Sequence, residues 1–127
     1  MRRVKISAGG VTATATLNDH AAADAIWTAL PITARGNRWG DEIYFEIPVR
    51  LPQTDDARDV LEAGELGYWP VGHAFCIFWG PTPASQGEEI RAYSPVSVFG
   101  RLEGDPAVFD SLPGGVEITV EPEVREE

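Results

Sequence analysis

The chain has one cysteine, one lysine, two histidines and no long apolar run, and each scarcity excludes something. With Cys76 alone, no internal disulfide can form, which suits a reducing compartment and gives a cytoplasmic location as the expectation. His20, His73 and Cys76 lack the spacing of a transition-metal site, so neither a metal nor another cofactor is expected. The longest apolar run, residues 74–79, has the length of a strand, far short of the ~20 residues of a spanning helix. The chain enters an alternating pattern at Arg3, so no signal peptide or membrane association is expected. Positive charge is also short: 10 Lys and Arg against 20 Asp and Glu leave a net charge of −10. Such a surface repels phosphate backbones and anionic lipid, and nucleic acid is not an expected partner.

What is present is strand pattern. At 127 residues and 43% apolar, the chain has the length of one domain, expected over residues 1–120, with an acidic tail at 121–127 too charged to pack. Val4 and Ile6, then Val11, Ala13, Ala15 and Leu17, alternate with polar residues across Gly9–Gly10, which predicts a hairpin. The period then changes. Ala23, Ile26, Trp27 and Leu30 form one helical stripe, capped by Asn18 or Asp19 and stopped by Pro31, with Trp27 expected to plug an open side of the sheet. Ile43, Phe45 and Ile47 resume the strand period, and residues 65–69, 73–79, 95–102 and 116–120 supply further strands. Residues 55–63 read as a helical turn and 105–112 as a short helix. Many short strands, frequent Gly and Pro turns and one main α-helix predict an all-β fold, a closed or nearly closed barrel.

Familiar catalytic arrangements fail on geometry. On a strand, His73 and Cys76 differ by an odd number of positions and face opposite ways, so they make no dyad. Cys76 reads as a small buried hydrophobe. Glu42 and Glu46 share a strand face about 13 Å apart, wider than a glycosidase pair, and read as a solvated acidic face. "GPTPAS" at 80–85 lacks the lysine of a phosphate loop, and no G-x-S-x-G elbow occurs.

Three blocks carry a recognisable pattern: "RWGDEIYFEIPV" (38–49), "GYWPVGHAFCIFWGPTPAS" (67–85) and "SPVSVFGRLEG" (94–104). In this order and spacing the chain resembles the prokaryotic cyclophilin-like family, an atypical cyclophilin fold of small Thermotoga-type proteins. The likeness covers nearly the whole sequence. It implies a closed β-barrel of about eight strands with a helix against an open end. True cyclophilins are prolyl isomerases with a Phe–His–Arg strand and a Gln–Gly–Gly string. Both are missing here, so the resemblance carries over no catalytic residue.

Two functions stay open. The leading one is binding of a small molecule or an extended peptide in a groove beside the 81–85 loop. Its expected walls are Tyr44, Trp69, Phe75, Phe78, Thr82, Ser85, Arg91 and Tyr93, aromatics opening onto a Gly/Pro loop. The alternative is a peptidyl-prolyl isomerase with a rebuilt site. It needs an apolar socket, from Trp69, Phe75, Phe78 and Tyr93, and a donor to the twisted amide. Arg91 is the leading catalytic candidate, ahead of Arg38 and Arg101. Spare aromatic surface leaves both a monomer and a homodimer open.

Overall fold

The computed structural model describes residues 2–123. Strands β1 (Arg3–Ala8) and β2 (Val11–Leu17) form the expected hairpin, with Gly9 at φ +56° supplying the left-handed turn residue. Val4, Ile6, Ala8, Ala15 and Leu17 point into the core. Helix α1 (Ala21–Ala29) buries Ala22, Ala23 and Ile26 in that core. Trp27 sits at its margin, half-buried, with the Arg2 guanidinium 5.7 Å from its ring, so Ile26 fills the place expected for Trp27. The cap also differs from expectation. His20 is the N-cap, its Nδ1 accepting from the Ala22 N–H at 2.9 Å, while Asn18 accepts from the His20 N–H one step earlier.

The remaining strands are β3 (Ile32–Arg35), β4 (Asn37–Arg38), β5 (Glu42–Glu46), β6 (Arg58–Leu61), β7 (Glu65–Trp69), β8 (Ala74–Phe78), β9 (Ile90–Leu102) and β10 (Glu117–Pro122). Their order is β3-β10-β1-β2-β9-β7-β8-β5-β4, with β6 added to β9. The described residues thus hold ten strands where about eight were expected, and the sheet is not closed by hydrogen bonds. Its two ends are instead one stretch of chain. β3 pairs with β10 and β4 with β5, and only Gly36 lies between them. A Cβ there would lie 2.6 Å from the Ile118 side chain and 2.9 Å from that of Ile43, so glycine lets the two ends approach.

Inside this rolled sheet Phe45 stacks on Phe75 at 4.8 Å, and Phe75 meets Phe99 edge to face at 4.9 Å. A 3-10 helix, Pro106–Ser111, occupies the segment expected as a short helix. Asp105 caps it, and its Phe109 is fully buried beside Trp79. Tyr68 ties a long loop to the core: its hydroxyl donates to Val49 O at 2.6 Å and accepts from the Leu51 N–H at 3.2 Å.

Three further expectations change. Residues 58–61 are strand β6, because the exposed edge of β9 gives their backbone a partner that a lone helical turn lacks. His73 lies in the turn before β8 at φ +50°, beside the Arg50 guanidinium at 2.8 Å. β10 runs two residues into the expected tail, since Glu121 and Pro122 pair with Lys5 and Val4; residues 124–127 lie outside the described residues.

The feature that builds a site is β9. Its second half pairs with β7 and β2, whereas its first half pairs with β6 alone. Pro95, which has no N–H for a ladder, stands at the change. Gly67 permits the crossing, because a Cβ there would lie 2.6 Å from Val96. The first half of β9 and β6 therefore fold over the outer face of β8 as a two-stranded flap, and β8 is buried on both sides. Phe75 and Ile77 enter the main core; Ala74, Cys76 and Phe78 enter a second one with Leu61, Ile90, Ala92 and Val96.

Tyr68→Phe leaves the Val49 carbonyl and Leu51 amide without their shared partner and should lower unfolding stability by roughly 1–3 kcal/mol. Urea denaturation followed by tryptophan fluorescence measures this, and an unchanged midpoint would show that the loop is held by other contacts.

Candidate functional site

Between the flap and the outer face of β5 and β8 lies a cavity of about 230 Å³. Four aromatic rings stand around it: Trp39 from the turn before β5, Tyr44 from β5, Trp69 from β7 and Tyr93 from β9. They touch edge to face in sequence. Tyr44 meets Trp69 at 6.0 Å and 79°, Trp69 meets Tyr93 at 5.9 Å and 74°, and Tyr93 meets Trp39 at 6.1 Å and 67°. Trp69 is fixed by its Nε1–H, which donates to Ser94 Oγ at 2.6 Å. Tyr93 is the outermost wall, 74% exposed. Ala92 and Val96 supply the flap side, and Glu42 and Cys76 complete the lining.

Glu42 departs from the expected solvated face. It alternates correctly with Ile43, but the flap and Trp39 cover that end of β5, leaving it 5% exposed while Glu46 remains exposed. Burial penalises the carboxylate and pushes its pKa up to about 7, partly opposed by a hydrogen bond with Cys76. The other buried acid, Glu65, is balanced: Arg58 donates to it at 2.6 Å and the Glu62 N–H at 2.7 Å. Glu42 has no ion pair with a basic side chain among the described residues. Cys76 is buried, and desolvation first, then the neighbouring Glu42, raises its thiol well above the ordinary value. It is no nucleophile in this setting.

Of the residues expected at a site, Tyr44, Trp69 and Tyr93 line the cavity. Phe78 is fully buried in the second core, paired across the ladder with Glu42. Phe75 faces the other way, stacked on Phe45 inside the rolled sheet, and walls nothing. The 81–85 loop stands beside the cavity without lining it. Thr82 donates to Arg91 O, the Thr82 N–H donates to Ser85 Oγ at 3.0 Å, and Pro81 O accepts from the Asp41 N–H at 3.0 Å. The loop braces the Trp39–Gly40 turn: a Cβ on Gly40 would lie 2.9 Å from Thr82 Cα.

The arginines expected as donors are engaged. Arg91 donates to Asp59 at 2.9 Å and to Glu89 at 2.5 Å, away from the cavity lining; its buried Nε has no partner. Arg38 uses all of its groups. Nε reaches Gly40 O, Nη1 reaches the Asp110 and Leu112 carbonyls, and Nη2 reaches Asp41 and Asp110, while the plane lies 4.9 Å from the Trp79 ring centre. Arg101 pairs with Glu62.

A second polar cluster gathers His20, Thr54, Asp56 and Ser97, with Thr54 Oγ1 2.8 Å from Ser97 Oγ. It has the side chains of a hydrolytic triad in the wrong wiring. His20 Nδ1 caps α1, so Nε2 carries the proton and donates to Asp56, leaving no basic nitrogen toward the hydroxyls.

Sequence reasoning had no place for Trp39, Glu42 or Cys76 in a site. A signal was present: Glu42 and Tyr44 share a strand face, and the ladder sets them opposite Phe78 and Cys76. A raised acid weakens the fold as pH rises. The unfolded Glu42 loses its proton near 4.5 and the folded one near 7, so stability is full below 4.5 and declines across that interval. The loss is on the order of 3 kcal/mol. Glu42→Gln should remove that decline, so that the variant gains on its parent between about pH 4.5 and pH 8. Parallel melting curves across that range check it, and parallel pH profiles would refute it.

Comparisons place this geometry among known proteins. The solution structure of a hypothetical protein from Archaeoglobus fulgidus superposes with a TM-score of 0.80 at 34% identity, over 96% of this chain and 95% of that one. No curated protein sequence matches. The family model described as Cyclophilin-like matches residues 2–121. With its rolled sheet, the single α-helix of the described residues and that match over nearly all of its length, the chain belongs to the cyclophilin-like family.

Proposed function

We propose that this chain is a binding domain whose site is the aromatic cavity between β5, β8 and the flap. The observation that carries the reading is a run of four aromatic rings, each meeting the next edge to face, around a space that also holds one buried carboxyl without an ion pair. Ligand sites are concave, mostly apolar and furnished with a few placed polar groups, which describes this space. Its volume suits a compact molecule or a single side chain of an extended peptide; the space is smaller than the ~300–1,000 Å³ typical of drug-sized ligands. The groove expected at the 81–85 loop thereby moves inward by one layer, and the loop becomes a brace for Trp39.

Prolyl isomerisation finds less support. It asks for a proline socket and a free donor, yet Phe75 belongs to the main core and Arg38 and Arg101 hold acids or carbonyls. Arg91 holds two acids, with its one unpartnered nitrogen, Nε, buried and outside the cavity lining.

A fragment screen read by indole N–H resonances tests the binding reading. Compact apolar fragments should shift Trp39 and Trp69 together and leave Trp27 unmoved, and Trp69→Leu should weaken those hits by about tenfold. Hits that avoid both indoles would count against the cavity. In a protease-coupled proline-peptide assay the rate should stay at the spontaneous value. Turnover that disappears on Arg91→Ala, with the fold intact, would transfer the assignment to an isomerase.

A further inference from the structure

The cavity selects a charge. We infer that its ligand is a methylated ammonium group, carried by a free small molecule or by a trimethylated lysine side chain, held by the rings of Trp39, Tyr44, Trp69 and Tyr93 with Glu42 as counter-ion. This rests on the binding reading above and narrows it to one chemical class.

Three observations converge. First, each aromatic ring has a negative face, and perpendicular neighbours present faces and edges around one volume instead of stacking flat and closing it. A cation gains wherever it meets a ring face, and the Glu42 carboxyl beside the rings disfavours an anion. Second, Glu42 is buried there without a basic partner among the described residues, whereas Glu65, the other buried acid, has Arg58. No basic side chain lines the cavity. Arg91 on β9 faces Asp59 and Glu89, and Arg38 faces Asp41, Asp110 and the Trp79 ring. A positive charge to pair the ionised form of Glu42 would arrive with the ligand. Third, the lining has few charged acceptors. A metal ion such as calcium wants six or more oxygens, whereas the side-chain oxygens here are one carboxyl and the two phenols of Tyr44 and Tyr93. A methylated ammonium has a diffuse charge, an apolar surface and little need for hydrogen bonds. The net charge of −10 would draw such a cation toward the protein.

Binding should then expel a proton. The titratable groups facing Glu42 are Cys76 from β8, Tyr44 from its own strand and Tyr93 from the flap, and none of them is basic. Glu42 is about half protonated near neutrality, and a cation beside it favours the carboxylate. Affinity should therefore rise with pH.

Isothermal titration of the full chain with choline and with its neutral isostere 3,3-dimethylbutanol separates the claims. Choline should bind at least about tenfold more tightly at about pH 8, and its affinity should fall roughly tenfold toward pH 6. Glu42→Gln should abolish the pH dependence and reduce the preference over the isostere to what the rings alone supply. Tyr93→Leu, a change at an exposed wall, should weaken choline severalfold in a folded protein. A peptide bearing trimethyllysine identifies the source: tighter binding than choline assigns a protein side chain, weaker binding a free molecule, and either supports the shared chemistry. Equal or better binding of the isostere overturns the ammonium assignment and leaves the cavity reading standing. Silence from both, with fragments still shifting Trp39 and Trp69, does the same. Silence from every ligand removes both readings.

Discussion

Strand β8 has to be apolar on both faces, and this single requirement organises the outer half of the molecule. A strand in a rolled sheet ordinarily buries one face and wets the other, so Phe75 and Ile77 would suffice to anchor it in the main core. Cys76 and Phe78 on the opposite face need a second cover. That cover is supplied by β9 leaving the main ladder at Pro95 and taking β6 as a partner. Its position depends on Gly67, which lets Val96 approach the sheet, and on Thr82, which holds Arg91 O from the neighbouring loop. The cavity is the part of this second interface that the flap and the Trp39 turn leave unfilled.

An interface of this kind tolerates a carboxyl poorly, and Glu42 is the place where fold and site pull apart. Leu66, Ile43 and Ile77 show what the sheet accepts when packing alone decides. A raised acid at neutral pH works against the folded state, and positions that keep such a penalty are where function is to be sought. Glu65 makes the contrast clear, because burial to a similar degree is compensated by Arg58 and a backbone amide. Two buried acids in one sheet therefore have opposite meanings. One completes a structural network, and the other stands without an ion pair among the described residues.

Local pattern made much of the fold legible. The Gly9–Gly10 hairpin, α1, β5, β7 and β8 all follow from periodicity, and the three quoted blocks pointed to the family. What failed was set by distant partners. Residues 55–63 have helix-like spacing of Ala57, Val60 and Leu61, yet the β9 edge draws 58–61 into a strand. Residues 90–94 precede a proline that reads as a strand start, so the long first half of β9 was hidden. Tyr44, Trp69 and Tyr93 were legible as aromatics near a loop. Glu42 was not, because an acid alternating with Ile43 and Phe45 looks solvated until Ala92 and Val96 arrive from elsewhere in the chain.

The distribution of arginine completes the case for reading the cavity through its acid. In an acidic protein nearly every arginine is claimed by a carboxylate or a carbonyl, and Arg3 shows how tightly. Its guanidinium holds Glu103 by two hydrogen bonds of 2.8 and 2.7 Å, Thr16 adds a third, and the Glu103 carboxyl falls to about 2. Arg38 and Arg91 likewise hold acids, and neither lines the cavity. With ten basic and twenty acidic residues, an unpaired arginine would be the surprise and an unpaired acid the rule at the surface. Glu42 is an unpaired acid in the interior instead, in a cavity walled by four aromatic rings. No arginine lines that cavity, so burial acts on Glu42 without an ion pair to oppose it, and its carboxyl is raised where that of Glu103 is lowered.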